Sequence, residues 1–385
     1  ATASHPSIND WQSTTSGVES IVNLLRPKGL SWRSVARLAW PAAPPAFDRP
    51  THVFVCLADH FEPKRGRAPA HVARDRVDRW RRNYPASVAG LLDSAGRPPK
   101  HTFFFPAEEY EPEHLEALAE ICRQGLGEVE VHLHHDNDTA DRLRETLCRF
   151  KETLHRRHGL LGKNAAGKIT YGFIHGNWAL DNARRDGRWC GVNDELTVLR
   201  ETGCFADFTL PAAPDDCQTS TINSIYYAVD DCRRPKSHDR GQPAGVGRVP
   251  PSDGLLLIQG PLALDCSSRK FGFLPRLENG ELHGGRPPAI DRLRLWLAAG
   301  VGVAGRPDWR FVKLHTHGAH EPNAEMLLGE PMRRFHEKLA DLARREPHFN
   351  YYYVSAREMA DLVRQAEAGE EKPHFAEVHH VSHST

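Results

Sequence analysis

The sequence lacks an excess of either charge, because its 50 Lys and Arg residues are balanced by 50 Asp and Glu residues. This balance gives no electrostatic reason to expect a nucleic acid or an anionic membrane as a partner. No run of about 18 apolar residues is present, so we predict no membrane-spanning helix. The first residues lack the basic start and apolar segment of a signal peptide. We therefore expect a cytoplasmic protein, while a start at Ala1 without Met leaves a removed leader open.

The patterns of several common enzyme classes are also missing. None of the eight cysteines stands in a Cys-x-x-Cys spacing, which argues against a zinc site built from cysteines. No Gly-x-Ser-x-Gly pattern is present, so a serine hydrolase has no nucleophile elbow. Residues 300–305 match a dinucleotide fingerprint, but they follow a predicted helix and precede a predicted strand, which is the reverse of the required order.

Apolar runs of strand length alternate with helical patterns along most of the chain. Strands are predicted at residues 51–58, 101–105, 128–133, 169–174, 204–210, 254–259, 309–314 and 349–354. Alternation of strands and helices is typical of parallel βα units. We therefore predict an α/β fold, a distorted (β/α) barrel of seven or eight parallel strands.

The predicted barrel occupies residues 49–368 as one catalytic domain. Residues 1–48 are predicted to form an N-terminal appendage, with a short helix near residues 18–25 and a Pro-rich link. Residues 211–253 and 265–288 lose the periodicity and are predicted to be inserted loops, of the kind that often serve as lids or binding elements. Residues 369–385 form a predicted tail.

The chain has 23 histidines, and many of them follow predicted strands. In parallel α/β folds the loops that follow the strands share one face, where active sites lie. The polar residues at these positions are Asp59, His60, Glu108, His132, His134, His135, His175, Asn177, Trp178, Asp207, Gln259, His315 and His317. We therefore predict that the ends of several strands bring these polar side chains together at one site.

The third predicted strand carries the densest group of such residues. His132 and His134 share a face because strand side chains alternate, and Asp138 lies one helical turn beyond His134. We predict that these three residues bind a divalent metal ion, whereas His135, with the opposite parity, has a structural role. Imidazole and carboxylate ligands suit zinc first, with iron, cobalt, nickel or manganese as alternatives. The structural alternative is a set of polar residues that line the barrel and satisfy one another by hydrogen bonds.

Further candidate residues follow other strands. Asp59 and His60 add a carboxylate and an imidazole, of which one can complete the metal sphere while the other takes a proton from a water. The structural alternative for Asp59 is a cap on the next turn. His315 and His317 suit a general acid opposite the ion, a role for only one of them. Four residues after the fourth and fifth strands are predicted to hold the substrate: His175, Asn177, Trp178 and Asp207.

The order of these motifs resembles the polysaccharide deacetylase superfamily, the NodB-like carbohydrate esterases with a distorted (β/α) barrel. Residues 57–60, Leu-Ala-Asp-His, are similar to the first motif of that family, with His60 where the family has a metal-binding Asp. Residues 134–138 are similar to the second motif, with Asp138 in place of its final His. Residues 173–178 occupy the place of the third motif without its Arg-Pro-Tyr, and residues 313–315 resemble the last.

This resemblance implies hydrolysis of an N-acyl or O-acyl group on a carbohydrate or a related small molecule. The implied general base is Asp59, and His315 or His317 would protonate the leaving group. Three other functions stay open. His132-Leu-His134 suggests an amidohydrolase-like barrel, Asp59 with Asp207 suggests a glycosidase, and a relative that lost its metal would only bind carbohydrate. No pattern indicates an oligomeric state.

Overall fold

A large, mostly parallel sheet organises the protein, which the computed structural model describes over residue 30 and residues 32–39, 43–271 and 274–375. The strands are β1 (Thr51–His60), β2 (His101–Pro106), β3 (Gly127–Leu133), β4 (Tyr171–His175), β5 (Cys204–Asp207), β6 (Ile225–Val229), β7 (Gln242–Pro243), β8 (Gly254–Ile258), β9 (Ala263–Lys270), β10 (Leu274–Glu278), β11 (Trp309–Thr316) and β12 (Phe349–Tyr353). The α-helices are α1 (Trp32–Ala39), α2 (Ala70–Ser87), α3 (Pro112–Arg123), α4 (Ala140–His158), α5 (Glu195–Thr202), α6 (Ile290–Ala299), α7 (Glu321–Leu328), α8 (Glu330–Arg345) and α9 (Ala356–Glu367).

The strands of the large sheet follow the order β11, β1, β2, β3, β4, β5, β8, β6, β7. From β11 to β8 all neighbours are parallel, and β12 pairs in parallel with the first half of β1. Strand β6 runs antiparallel to β8, and β7 runs antiparallel to β6. The predicted mixed α/β fold with a largely parallel sheet is therefore confirmed.

The predicted closure of the sheet into a barrel is not detected among the described strands, whose hydrogen-bonded order is an open path from β11 to β7. Its distant parts nevertheless approach each other. The buried ammonium of Lys313 on β11 donates hydrogen bonds to the carbonyl oxygens of Phe208 and Leu210, just beyond β5, at 2.6 and 2.7 Å. A side chain thus links β11 to the segment after β5, across the inner face of the sheet.

Successive side chains along the strands point to opposite faces of the sheet, and the core therefore forms two clusters, one on each face. On β1, Val53 and Leu57 pack in the core cluster that includes the surrounding helices, whereas Phe54 and Ala58 belong to the cluster on the inner face. The inner face also receives apolar residues of α9, such as Leu362. Because side chains two residues apart share a face, this pattern also fixes the direction of polar residues at the strand ends.

The stretches 211–253 and 265–288, predicted to be loops, contain strands. Strand β6 lies in the first stretch, and the antiparallel pair β9 and β10 spans much of the second. Four of the five residues of β6 are buried, so the strand has no alternation of polar and apolar residues that sequence analysis can detect. Helix α7 was also not predicted.

The ends of the chain are described only in part. The predicted helix at residues 18–25 and residues 376–385 of the predicted tail lie outside the described residues. Leu38 of α1 packs with Ala213, Ile222 and Leu262 of the main domain. Phe375 packs on Tyr352. The division at residues 48 and 368 stays a prediction. Among the described residues, no helix has the length and apolarity needed to cross a membrane.

Candidate metal centre

Three strands, β1, β3 and β11, each present two polar residues that stand two positions apart at their carboxyl ends. The pairs are His60 with Glu62, His132 with His134, and His315 with His317. Members of each pair share a face because of the strand period, and the parallel register brings the ends together. We call five of these residues the mouth cluster: His60, Glu62, His132, His134 and His317.

Glu62 lies at the centre of the mouth cluster. Its Oε1 atom is 3.4 Å from Nε2 of His132, 3.7 Å from Nε2 of His134 and 3.9 Å from Nε2 of His317. A ligand atom of His60 lies within 4.8 Å of those of Glu62 and His317. Ligand bonds of about 2 Å in a tetrahedral site separate the ligand atoms by about 3.3 Å. The spacing around Glu62 is therefore close to that of a metal ligand set.

Two rings of the mouth cluster are held by partners on their far side. Nδ1 of His132 donates to the carbonyl oxygen of Ile174 at 2.8 Å, and Nδ1 of His134 donates to the carboxylate of Glu108. In the neutral form of each ring, Nε2 then carries a lone pair and faces an oxygen of Glu62. Such outer partners orient the histidines of metal sites, and a cation between the rings and the carboxylate would remove the repulsion between their lone pairs.

Burial and neighbouring charges set the protonation of the mouth cluster. Burial raises the pKa of Glu62, but its interactions with the imidazoles of His132 and His317 and with the guanidinium of Arg65 outweigh burial, so this pKa lies well below its usual value. Burial lowers the pKa of His60 well below its usual value and that of His317 to about 3. Burial also acts on His134, but the hydrogen bond to Glu108 and the charge of Glu62 outweigh it and raise the pKa of that ring. An ionised carboxylate and neutral imidazoles are the forms that bind metals.

The mouth cluster opens to solvent on one side. The side chain of His134 is 31% exposed and that of His317 is 15% exposed, whereas Glu62, His60 and His132 are buried. Nitrogen and carboxylate ligands with an open side fit zinc and several other divalent transition metals in a catalytic site. The protein therefore contains a His and Glu cluster able to hold a divalent ion.

His315 lies beside the mouth cluster, on the inner face of β11. Its ring centroid is 6.2 Å from that of His60, and its Nδ1 atom is buried without a hydrogen-bond partner among the described residues. Burial, with the nearby charge of Lys313, lowers the pKa of His315 well below its usual value. A neutral imidazole is thus available next to the candidate ligands.

Asp59 lies on the face opposite to His60. It is fully buried, its Oδ2 atom is 2.8 Å from Nε2 of His101, and its Oδ1 atom accepts the backbone N–H of Gly318 at 2.6 Å. The indole of Trp80 donates to the carbonyl oxygen of Gly318 at 2.8 Å. Asp59 thus fixes the peptide that follows His317, and its assignment as the general base stays a prediction.

A second group of potential ligands, which we call the outer cluster, consists of His135, His175, Cys190 and Glu195. Oε1 of Glu195 is 3.1 Å from Nε2 of His135 and 3.6 Å from Nε2 of His175, and its Oε2 atom is 3.3 Å from Sγ of Cys190. Asp138, predicted to bind the ion beside His134, lies here instead, with Oδ2 3.2 Å from Nδ1 of His135. The structure thus separates two of the predicted metal ligands.

The predicted substrate residues lie in different surroundings. His175 belongs to the outer cluster, and Asp207 is buried with its carboxylate accepting from Thr209. Burial raises the pKa of Asp207 to about 6. Asn177 and Trp178 are half-buried and have positive φ angles of 54° and 57°. Their contacts with a substrate stay predictions.

Sequence reasoning missed Glu62 and the pair of Cys190 and Glu195. Glu62 carries a usable signal, because it stands two residues after His60 and the chain stays extended there through the bond from Phe61 N–H to the carbonyl oxygen of Phe104 at 3.0 Å. Cys190 belongs to an irregular segment without periodicity. Glu195 lies at the start of α5, where the sequence predicts a helix from Asp194 but gives no sign of a ligand.

Comparisons with known proteins do not identify a family. No protein-family model matches the sequence, and no curated protein matches it. Among solved structures, an alpha-mannosidase from Enterococcus faecalis V583 is similar with a TM-score of 0.44 and 9% sequence identity. The similarity covers 82% of this chain and 29% of the mannosidase chain, so this chain spans less than a third of that protein. A likeness this distant carries no information about activity.

Proposed function

We propose that the protein is a metal-dependent hydrolase that removes an N-acyl or O-acyl group from a carbohydrate or a related substrate. The observation that carries this proposal is the mouth cluster, in which four imidazoles surround one buried carboxylate at the carboxyl ends of parallel strands. Its open side supports a catalytic ion, since catalytic sites keep a ligand position for water or substrate. The carbohydrate substrate rests on the resemblance of the motifs to polysaccharide deacetylases.

The potential ligands form two sets of three that share Glu62, one with His60 and His317 and the other with His132 and His134, and zinc is the first choice of ion for either set. When bound, such an ion would polarise the acyl carbonyl and lower the pKa of a water molecule. Glu62 supplies the negative charge, while Arg65, 2.6 Å from its Oε2 atom, leaves Oε1 directed at the imidazoles. The partners of His132 and His134 hold these two rings in place before substrate binds.

Proton transfer to the leaving group is assigned to His315. It lies beside His60, its Nδ1 atom has no protein partner among the described residues, and it is not one of the grouped potential ligands. His317, the other predicted acid, is close to Glu62 and better suited to bind the ion. His315 can therefore accept a proton from the attacking water and return it to the departing nitrogen or oxygen.

The experiment uses untagged protein, because a His tag would itself bind metal. Metal content is measured first, and acetate release is then measured on N-acetylated and O-acetylated oligosaccharides. We expect at least one bound divalent ion and acetate release that a chelator abolishes and added zinc restores. Release of new reducing ends without acetate would support a glycosidase instead. No bound ion, and no activity after metal is added, would support a binding protein.

Two histidines on the same segment provide a matched pair of variants. His315→Gln should lower turnover by two to four orders of magnitude, the usual contribution of a general acid or base, while metal content is retained. His320→Gln, at an exposed position five residues later, should leave turnover unchanged.

Asp59→Asn tests the competing assignment of the base. Lost turnover with unchanged metal affinity would support Asp59 as the base, and weakened metal binding would support a positioning role through Gly318.

A further inference from the structure

The outer cluster has the arrangement of a closed metal site. Its four potential ligand atoms, two imidazole nitrogens, one thiol sulfur and one carboxylate oxygen, lie within 4.8 Å of one another. His175, Cys190 and Glu195 are fully buried, and the side chain of His135 is 7% exposed. We infer that the outer cluster is a second metal site, which binds Zn²⁺ through His135, His175, Cys190 and Glu195.

The orientation of His175 points most directly to a cation. Nδ1 donates to the carbonyl oxygen of Gly176, so Nε2 carries a lone pair in the neutral ring. This buried Nε2 atom has no hydrogen-bond partner among the described residues and faces Oε1 of Glu195 at 3.6 Å. Two buried electron-pair donors that face each other across this distance leave a place for a positive charge between them.

The second histidine is held in a similar way. Nε2 of His135 faces Glu195, and Nδ1 lies 3.2 Å from Oδ2 of Asp138. A carboxylate behind a ligating imidazole is the usual outer partner in zinc sites, where it fixes the ring and strengthens the ligand. The carbonyl oxygen of Gly176 serves His175 in the same manner.

Burial and the charge of Glu195 raise the pKa of the Cys190 thiol, but two backbone N–H groups are directed at its sulfur. Its Sγ atom accepts the backbone N–H groups of Asn182 and Val192 at 3.3 and 3.4 Å. Hydrogen bonds from N–H groups stabilise a negative charge on sulfur, and a bound zinc ion deprotonates a coordinating thiol. Cys190 therefore has what a zinc ligand needs, although it stands outside any Cys-x-x-Cys pair.

A metal-free network is the competing explanation. An ion pair of His135 with Glu195 would account for one of the two histidines. In that network the thiol of Cys190 would donate to the other oxygen of Glu195 at 3.3 Å, but Nε2 of His175 would still lie beside an acceptor oxygen without a hydrogen-bond donor between them. One ion accounts for all four groups.

A closed site of four protein ligands indicates a structural ion. The ligands come from the turn after β3, the end of β4, the segment before α5 and the first turn of α5. Between His175 and Cys190, five non-glycine residues adopt positive φ angles: Asn177, Trp178, Asp181, Asn182 and Trp189. Such backbone conformations persist where the surroundings hold them in place, and an ion that ties both ends of this segment would do so.

Cobalt substitution tests the second site separately from the mouth cluster. Co²⁺ bound to a thiolate shows an intense near-ultraviolet charge-transfer absorption, which a site made only of nitrogen and oxygen ligands does not show. We expect untagged protein loaded with Co²⁺ to show this absorption and to bind two ions per chain. Cys190→Ser should lose the absorption and one ion, whereas Cys204→Ser, at another buried cysteine, should retain both.

Each outcome decides for or against the second site. An absorption that survives Cys190→Ser would come from another cysteine, such as the exposed Cys232, and would overturn the inference. No charge-transfer absorption in the wild-type protein would also overturn it, even if no Cys190 variant folds. Glu62→Gln should keep the absorption while it loses the other ion, so failure of the proposed catalytic centre is distinguished from failure of this site.

Discussion

The mouth cluster and the outer cluster are built from the same parts on opposite faces of one strand end. His134 and His135 are consecutive residues, yet the first belongs to the mouth cluster and the second to the outer cluster. Each cluster has a buried glutamate at its centre and a histidine held by an outer carboxylate, Glu108 in one case and Asp138 in the other. Side chains alternate between the two faces at the end of β3, and this alternation places the two consecutive histidines in different clusters.

The two clusters differ in their access to solvent and in the thiol of Cys190, which only the outer cluster contains. The mouth cluster reaches solvent through His134 and His317, whereas His175, Cys190 and Glu195 of the outer cluster are inaccessible. An accessible ion can meet a substrate, and an enclosed ion with a thiolate ligand can only hold the chain. We therefore propose that the mouth cluster serves turnover and the outer cluster serves stability, and variants of matched residues test this proposal.

The largest effect is expected from the central carboxylate of the mouth cluster. Glu62→Gln keeps the size of the side chain but removes the charge that faces three imidazoles. Turnover should fall by two to four orders of magnitude, and metal content should fall by one ion. Acetate release and metal analysis measure both. Glu113→Gln, on the exposed side of α3, is the control.

If Glu62→Gln retains wild-type turnover, the mouth cluster takes no part in catalysis. If Glu62→Gln retains its metal but loses turnover, Glu62 acts in proton transfer and not as a metal ligand.

The central carboxylate of the outer cluster should affect stability instead. Glu195 is fully buried, accepts the N–H of Asp181 at 2.6 Å and contacts His135 and Cys190. Glu195→Gln leaves these groups without their anionic partner, which should lower the free energy of unfolding by about 3–5 kcal/mol. Urea unfolding measures this change.

The folded fraction of Glu195→Gln should hydrolyse substrate at the wild-type rate. A variant with unchanged stability and impaired turnover would reverse the division of roles between the clusters.

The outer carboxylates provide a smaller and symmetric test. Glu108→Gln should weaken metal binding at the mouth cluster by about 10- to 100-fold, and Asp138→Asn should do the same at the outer cluster. Competition with a coloured chelator measures the first, and loss of the cobalt–thiolate absorption on titration measures the second. Each change should leave the other site unaffected. If either variant weakens both sites, the clusters form one coupled unit.

Much of the fold follows from local pattern. The apolar run at residues 51–58 corresponds to β1, which extends to His60, and the run at residues 309–314 corresponds to β11, which extends to Thr316. Alternation predicts these elements because each buries one face or stripe. It fails for β6, which is buried on both sides, and it does not state whether β11 meets β8 around the sheet. How closely the distant parts of the sheet approach depends on long-range contacts, such as those between Lys313 and the segment after β5. No local pattern in the sequence encodes such contacts.

The same alternation explains which parts of the site the sequence predicts. It places His132 with His134 and separates His135, as the structure does. Extended two residues past β1, it would also have found Glu62 and placed Asp59 on the other face. Asp138 was grouped with His134 on the assumption of a helical turn, but Asn137 has a φ of 48° and α4 begins only at Ala140, so the chain turns away first.

Gly176 gives the smallest effect and the sharpest test, because it contacts both clusters. Its carbonyl oxygen accepts a hydrogen bond from Nδ1 of His175, and a methyl group at its Cα would overlap the ring of His134 and the carbonyl oxygen of Leu133. Gly176→Ala should shift that ring, which lies at the accessible edge of its cluster, and weaken metal binding there by about tenfold. The cobalt–thiolate absorption of the outer cluster should be unchanged, since the carbonyl group remains.

Gly172→Ala, whose added methyl would lie 3.0 Å from Phe205, controls for crowding on β4. An equal loss at both sites would show that the peptide at Gly176 transmits strain between the clusters, and they would then have to be treated as one centre.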